Sequence, residues 1–376
     1  MEKRVEKRIL IISPGPKYNL EHAFRERCLN LSQSFSGDIL TSGPSKEKVI
    51  YGNFCVTRTR DPFGNSFFST ISFFWLSIFK VFINRFTDPY DLICTYDPLK
   101  TGLIGLIVAR LSGTKLVVEV NGDYTNKWNY SEIKSPIKRY FKRKAVLFVE
   151  KIVLRNSDGV KLLYHGQVDY FRPLRRPIIE VFPNYVNASR FHNIEHKKEI
   201  LFVGAPMYVK GLDVLVSAFD LISPHYPDWT LKILGYYPNK SELQALLGAR
   251  TNVRFHPPVD PDLMPDHIGS CGLFVLPSRT EAMGRVLVES MAAGKPRIGS
   301  SVGGIPTVIE DGIDGLLFES ENVEDLARKL RMVLDDADLR DRLGMQAVLR
   351  YQSDFRPAVY FERLVKFYER VQRRWV

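Results

Sequence analysis

Two doubly wound α/β domains are the fold this sequence predicts, and three observations predict it. Short β-branched or apolar runs alternate with helix-length segments, the rhythm occurs twice, and a polar stretch separates the two occurrences. The first set of runs is Arg8 to Ser13, Leu92 to Thr95, Lys115 to Val120, Gly159 to Tyr164 and Ile178 to Phe182. The second is Ile200 to Val203, Thr230 to Leu234, Val253 to Phe255, Gly272 to Leu276 and Arg297 to Gly299. Continuous apolar strands joined by helical crossovers are what a parallel sheet covered on both faces requires. The polar run Asn193 to Glu199, after the turn at Asn184 to Asn187, reads as a linker. The expected organisation is a domain over 1–190, a linker over 191–199, a domain over 200–355 and a terminal helix over 356–376. In that helix Val359, Tyr360, Leu364, Phe367, Tyr368 and Val371 recur near helical spacing. A chain of 376 residues supplies two cores, and it shows neither a repeat nor a low-complexity segment.

Charge divides the chain. Lys and Arg number 53 against 42 Asp and Glu, and the first 200 residues carry +13 while the remainder carries −2. So basic a half implies an anionic partner: nucleic acid, an acidic membrane surface or a phosphorylated substrate. Nucleic acid is set aside because no helix-turn-helix or RNA-recognition signature organises the charge. Cys28, Cys55, Cys94 and Cys271 lie far apart with no CxxC pair, which excludes a disulfide framework or zinc cluster and fits a reducing compartment. The apolar run Ile9 to Ile12 is too short for a signal-peptide core and reads as a first strand in a cytoplasmic protein.

Two segments of the first half bear on a membrane. Phe67 to Ile83 is the most apolar stretch, but it is short of the ~20 residues of a span and contains Lys80. The length rule favours a helix packed in the first domain over one lying in a membrane interface. Residues 134–155 carry eight basic residues and one acid, Glu150, interleaved with Ile137, Tyr140, Phe141, Val146, Phe148, Val149, Ile152 and Val153. That mixture suits an anionic membrane surface, and equally a solvated face over a core stripe.

The chemistry concentrates in Leu276 to Phe318. After the strand ending at Leu276, the chain turns through Pro277 and Ser278, a helix begins near Gly284, and Gly294 with Pro296 ends it. A helix N-terminus after a parallel strand offers free N–H groups to a phosphate. Glu281 precedes that helix and Glu289 lies five residues past Gly284, about 7.5 Å along the axis. An ionised carboxylate accepts two hydrogen bonds from a vicinal diol, so one glutamate suits a sugar ring and the other a ribose, with a diphosphate between. Each also has an ordinary reading as a helix-start acid or a surface charge.

Glu281 to Glu289, continuing as EAMGRVLVESMAAGKP, GGIP and DGIDGLLF, resembles the signature of glycosyltransferase family 4 (group 1), retaining enzymes of the GT-B fold. FVGAPMYVKGLDVLVSAF at 202–219 and VFPNYVNASRF at 181–191 are similar to its first donor-domain strand, loop and helix and to its interdomain turn. The resemblance implies two Rossmann-like domains facing a central cleft, with the C-terminal helix crossing back to the first. It implies that Glu281 contacts the donor sugar, Glu289 the nucleotide ribose, and the N–H groups of Met283, Gly284, Arg285 and Val286 the donor phosphates. Gly204 ends the first strand of the donor domain, and Lys210 would neutralise the leaving diphosphate. Where the family commonly has a second cation, after Gly204, this chain has Ala205, which leaves Arg285 or Arg279 as the substitute. On the acceptor side Pro14-Gly15-Pro16 offers a single glycine where the family has a pair. Asn121-Gly122-Asp123 stands where a histidine is common, so Asn121 and Asp123 become sugar or acceptor contacts, although Asn-Gly is also a strong turn former.

The expectation is a retaining hexosyltransferase that uses a nucleotide sugar as substrate and needs neither metal nor cofactor. Its expected acceptor is a lipid-linked or other saccharide, in cell-surface polysaccharide, lipopolysaccharide or glycolipid biosynthesis. It would sit peripherally on the inner face of the cell membrane, meeting the anionic surface through 134–155. The alternative is a non-catalytic GT-B sugar-binding or scaffold subunit, for which Ala205 argues and Lys210, Glu281 and Glu289 argue against. A dinucleotide oxidoreductase would need GxGxxG after the first strand, and SPGPKYN does not supply it. The sequence leaves open the base, the sugar, the linkage and the oligomeric state.

Overall fold

In the computed structural model, which describes residues 7–14, 20–43, 45–60, 66–84, 88–194 and 197–374, the chain forms two α/β units. The first takes residues up to Thr125, Ser135–Phe182 and those from Phe361 onward; the second takes Asn126–Lys134 and Pro183–Tyr360.

The first unit contains β1 (Lys7–Ile12), α1 (Leu20–Leu31), β2 (Phe35–Gly43), β3 (Glu47–Tyr51), β4 (Phe54–Arg60), α2 (Ser66–Asn84), β5 (Leu92–Thr95), α3 (Lys100–Ser112), β6 (Lys115–Val120), α4 (Pro136–Asn156), β7 (Gly159–Leu162) and β8 (Ile178–Val181). Its sheet runs β3-β4-β2-β1-β5-β6-β7-β8, parallel except for β3, which forms a hairpin with β4. The helix starts are chemically marked: the Asp97 carboxylate accepts from the Leu99 N–H at 2.7 Å before α3, and Ser135 caps α4 with Pro136 at its first position. Strand residues alternate between the two faces of the sheet. On one face Phe73, Val81, Ile104, Val108, Leu147 and Val153 of α2, α3 and α4 pack on Leu10, Ile12, Ile93 and Val118. On the other lies α12 (Pro357–Arg373), where the rings of Tyr368 and of Phe35 at the start of β2 lie edge to face at 6.0 Å. The Tyr368 hydroxyl donates to buried Glu119 at 2.7 Å, and Arg27 donates to both.

The second unit contains β9 (Glu199–Val203), α5 (Leu212–Ile222), β10 (Thr230–Leu234), α6 (Lys240–Leu247), β11 (Val253–His256), α7 (Met264–Ser270), β12 (Leu273–Leu276), α8 (Arg285–Ala292), β13 (Arg297–Ser300), α9 (Ile305–Val308), β14 (Leu316–Phe318), α10 (Val323–Asp335), α11 (Ala337–Arg350) and the start of α12. Its parallel sheet runs β11-β10-β9-β12-β13-β14. Strand order reverses between β9 and β12, so the loops that leave their carboxyl ends flank the crevice where α/β proteins bind ligands.

Three boundaries differ from the sequence reading. Of the expected linker over 191–199, the described residues 191–194 and 197–199 belong to the second unit: the Lys295 ammonium, fully buried, donates to Asn193 Oδ1 at 2.6 Å, and the Ile194 N–H donates to Gly269 O at 3.0 Å. The passage from the first unit falls earlier, at Phe182–Pro183, because the Tyr351 hydroxyl donates to Val186 O at 3.0 Å. Residues 126–134 leave the first unit and join the second, where Trp128 meets the Tyr208 ring at 5.4 Å. The terminal helix begins at Pro357, and the chain passes into the first unit within it, after Tyr360.

Candidate functional site

The loop after β9 presents Gly204, Ala205 and Lys210. The Tyr237 hydroxyl donates to Gly204 O at 2.6 Å, and the Gly204 N–H donates to Leu234 O at 3.0 Å, which fixes the end of the strand. The Lys210 N–H donates to Pro206 O at 3.0 Å, closing the loop so that its side chain points across the switch point. There its ammonium pairs with the Glu281 carboxylate, on the loop after β12; both side chains keep partial exposure. The Ser278 hydroxyl lies 3.5 Å from the same carboxylate oxygen.

Behind Glu281 the backbone is held from a third strand. Gly303, at φ +53°, comes so close that a Cβ there would stand 2.0 Å from Glu281 O, and the Gly304 N–H donates to that oxygen at 2.9 Å. Gly284, at φ +79°, then turns the chain into α8, a conformation costly for a residue with a Cβ. Met283 and Gly284 are buried, Val286 is half-buried and the Arg285 side chain is exposed. The N–H groups at this helix start are a ready anion site. Glu289, one turn on and 7% exposed, accepts from Arg285 Nε at 2.9 Å. Burial raises its carboxyl pKa above the usual glutamate range against the opposing pull of Arg285.

The substitute for Ala205 is thereby narrowed. Arg279 is 6% exposed, its two terminal nitrogens donate to Asp213 at 2.7 Å each, its Nε donates to Glu321 at 3.0 Å, and its guanidinium lies 3.9 Å from the Tyr208 ring centroid. A guanidinium held so completely is a brace between the loops and not a spare phosphate ligand. Of the two arginines the sequence offers in place of the missing cation, that leaves Arg285, whose side chain is exposed and paired with Glu289. Neither Tyr237 nor Asp213 was marked by any local pattern in the sequence; Gly303-Gly304 was, through the GGIP match.

In the first unit, Asn121 follows β6 and its amide donates to Tyr96 O at 2.8 Å. Asp123 is buried: it accepts from the Thr125 hydroxyl at 2.8 Å and the Tyr164 hydroxyl at 3.0 Å. Both therefore shape the turn after β6. Gly15 lies outside the described residues. Among the described residues no group of three or more His, Cys, Asp or Glu is placed to hold a metal ion, and Cys28, Cys94 and Cys271 are buried thiols whose pKa values burial pushes up.

Residues 187–350 match the family described as glycosyl transferases group 1. The chain is 32% identical over 165 residues to a D-inositol 3-phosphate glycosyltransferase of Streptomyces griseus, an alignment covering 41% of this chain and 35% of that protein. It is 28% identical over 261 residues to an uncharacterized glycosyltransferase of Methanocaldococcus jannaschii, covering 69% of each. The match thus spans about a third of the length of the Streptomyces relative. In structure it resembles sucrose-phosphate synthase from Thermosynechococcus elongatus, with a TM-score of 0.78 at 19% identity over 97% of this chain and 99% of that one. It also resembles Anabaena HepE solved with UDP, with a TM-score of 0.73 at 16% identity over 97% and 100%, and the same protein with UDP-glucose, 0.70 at 17% over 96% and 99%. These likenesses show a GT-B fold.

Proposed function

We propose that this chain, whose residues 187–350 match the group 1 glycosyl transferases, transfers a sugar from a nucleotide-sugar donor to an acceptor hydroxyl. The observation that carries the reading is the pairing of Lys210 with Glu281 beside the start of α8. A donor has its anomeric carbon between an anionic diphosphate and a ring of hydroxyls, and a cation next to a hydroxyl-accepting carboxylate matches those two sides. Lys210 and the N–H groups of Met283 to Val286 take the diphosphate, Glu281 orients the sugar, and buried Glu289 takes the ribose diol. The HepE complexes with UDP and UDP-glucose support a donor of that class.

The reaction proceeds with retention and without a metal. The bond from the anomeric carbon to the phosphate oxygen breaks, the acceptor oxygen bonds to the same face, and the acceptor proton passes to the departing phosphate oxygen. Lys210 and the helix start stabilise the negative charge that develops there. A lipid-linked saccharide at the cytoplasmic face of a membrane is the acceptor that best suits the basic first half, with residues 134–155 on the anionic surface. Ala205 favours the second reading, a non-catalytic sugar-binding subunit, because Arg279 is already engaged.

Slow donor hydrolysis followed by NMR tests retention without knowledge of the acceptor. An α-linked donor should release the α-anomer first; the β-anomer first contradicts retention, and no nucleotide release with any donor favours the non-catalytic reading.

A further inference from the structure

The outward faces of α2, α3 and α4 are apolar where a protein surface is ordinarily polar. On α2, Trp75, Phe79 and Phe82 stand 61 to 64% exposed, with Ile71 and Ile83 beside them. On α3, Leu103, Ile107 and Leu111 repeat every fourth residue, and on α4 Ile137, Phe141 and Phe148 continue the pattern. The helices lie side by side with α3 in the middle, and Arg110 Nη2 of α3 donates to Asn156 Oδ1 of α4 at 2.8 Å. The three stripes therefore make one surface, larger than the scattered single apolar residues of an ordinary exterior. The length rule applied to Phe67 to Ile83 holds for one side of α2: Phe73, Ser77 and Val81 are buried on the sheet, while Trp75, Phe79 and Phe82 are exposed.

Charge identifies what covers it. The three helices contain one acidic residue, Glu150, and it is 1% exposed. Lys138, Lys142, Lys144, Lys151 and Arg155 are exposed on α4. A second copy of the chain in a symmetric pair would set these basic faces against each other. A nucleic acid would use the lysines and leave three aliphatic and aromatic stripes without a role. An anionic bilayer takes both, bedding apolar side chains at the headgroup boundary and placing ammonium groups among the phosphates. No helix among the described residues is long and apolar enough to cross a membrane.

We infer that the outer face of α2, α3 and α4 is a lipid-binding plane: α2 and α3 insert Trp75, Phe79, Phe82 and Leu111, and α4 supplies the attraction to anionic headgroups. This deepens the peripheral-membrane part of the reading above, extending it from residues 134–155 to two helices given no such role, and it does not depend on sugar-transfer chemistry.

Flotation of the full chain with phosphatidylcholine vesicles, with and without phosphatidylglycerol, tests it. The wild type should float with the anionic vesicles, less so at high salt. The variant Trp75→Ser/Phe79→Ser/Phe82→Ser should lose about tenfold or more of the binding at every salt concentration. The variant Lys138→Glu/Lys142→Glu/Lys144→Glu/Lys151→Glu should lose the preference for phosphatidylglycerol, by about tenfold or more at low salt. Melting temperature and nucleotide binding show that the variants fold. Equal flotation with both vesicles, no flotation, or variants that float as the wild type does would overturn the inference. So would a dimer that the apolar variant turns into a monomer, or displacement from vesicles by duplex DNA. Anionic-vesicle binding without nucleotide-sugar binding would leave the lipid plane standing and remove the transfer reading.

Discussion

Lys210 and Glu281 come from loops on either side of the strand-order reversal in the second sheet, and their side chains pair there. Neither is in a core, so their removal tests chemistry more than folding. Lys210→Ala should lower kcat by about 10²- to 10³-fold, the usual effect of losing one preorganised charge at a leaving group, with a melting temperature close to that of the wild type. Initial rates and a thermal melt check this. A full-rate Lys210→Ala enzyme would mean that the ammonium does not face the leaving group.

Glu289 must be ionised to accept a ribose diol, and burial raises its pKa. Nucleotide affinity should therefore fall as pH drops through that raised value, at a higher pH than an ordinary glutamate would impose. Glu289→Gln should flatten the profile and weaken binding by about tenfold. Calorimetric titration across pH reads both; an unchanged pH profile in the variant assigns the dependence elsewhere.

Gly303→Ala should destabilise the second unit by roughly 2 kcal/mol, since its Cβ would collide with Glu281 O in a backbone region unfavourable to side chains. At about 2–4 °C per kcal/mol that is a drop of roughly 4–8 °C. Because the collision displaces Glu281, activity should fall further than the population of folded protein does.

Glu150 gives a pH test in the first unit. Burial, with Asp123 nearby, pushes its pKa up to about 8 from the usual 4.5. The folded protein therefore keeps a proton that the unfolded chain releases, so this contribution to stability is fully present below pH 4.5 and is lost as pH rises to 8. Lys161, lowered to about 7 by burial, acts in the opposite sense, its contribution growing as pH rises from about 7. The difference between wild type and Glu150→Gln isolates the first effect. The variant should gain on the wild type between pH 5 and pH 8, by several degrees at this domain size, and parallel curves would contradict the raised pKa.

The legible parts of this protein are those encoded locally. β5, β6 and β10 have the ends that their apolar runs mark, and Glu281, Gly284 and Glu289 lie on one strand-turn-helix passage whose spacing is readable residue by residue. β3 and β4 were not legible: they are a short hairpin at the sheet edge, and Thr57, Arg58 and Arg60 make the segment look like a polar connection. The unit boundaries were missed because distant partners decide them. Trp128 belongs with Tyr208, Asn193 with Lys295, and Val186 with Tyr351, pairings to which a local reading is blind. The role of Arg279 was undecidable for the same reason, since Asp213 and Glu321 lie 66 and 42 residues away.

Thermal stabilisation by UDP, GDP, ADP and CMP, each alone and as its common sugar conjugates, on the wild type and on Glu289→Ala, tests the central claim most directly. One nucleotide, at 100 times its dissociation constant, should stabilise the wild type by about 2.7 kcal/mol, and Glu289→Ala should lose about half of that shift or more at the same concentration. No shift with any nucleotide, or an equal shift in the variant, would contradict a nucleotide-sugar site at Glu289.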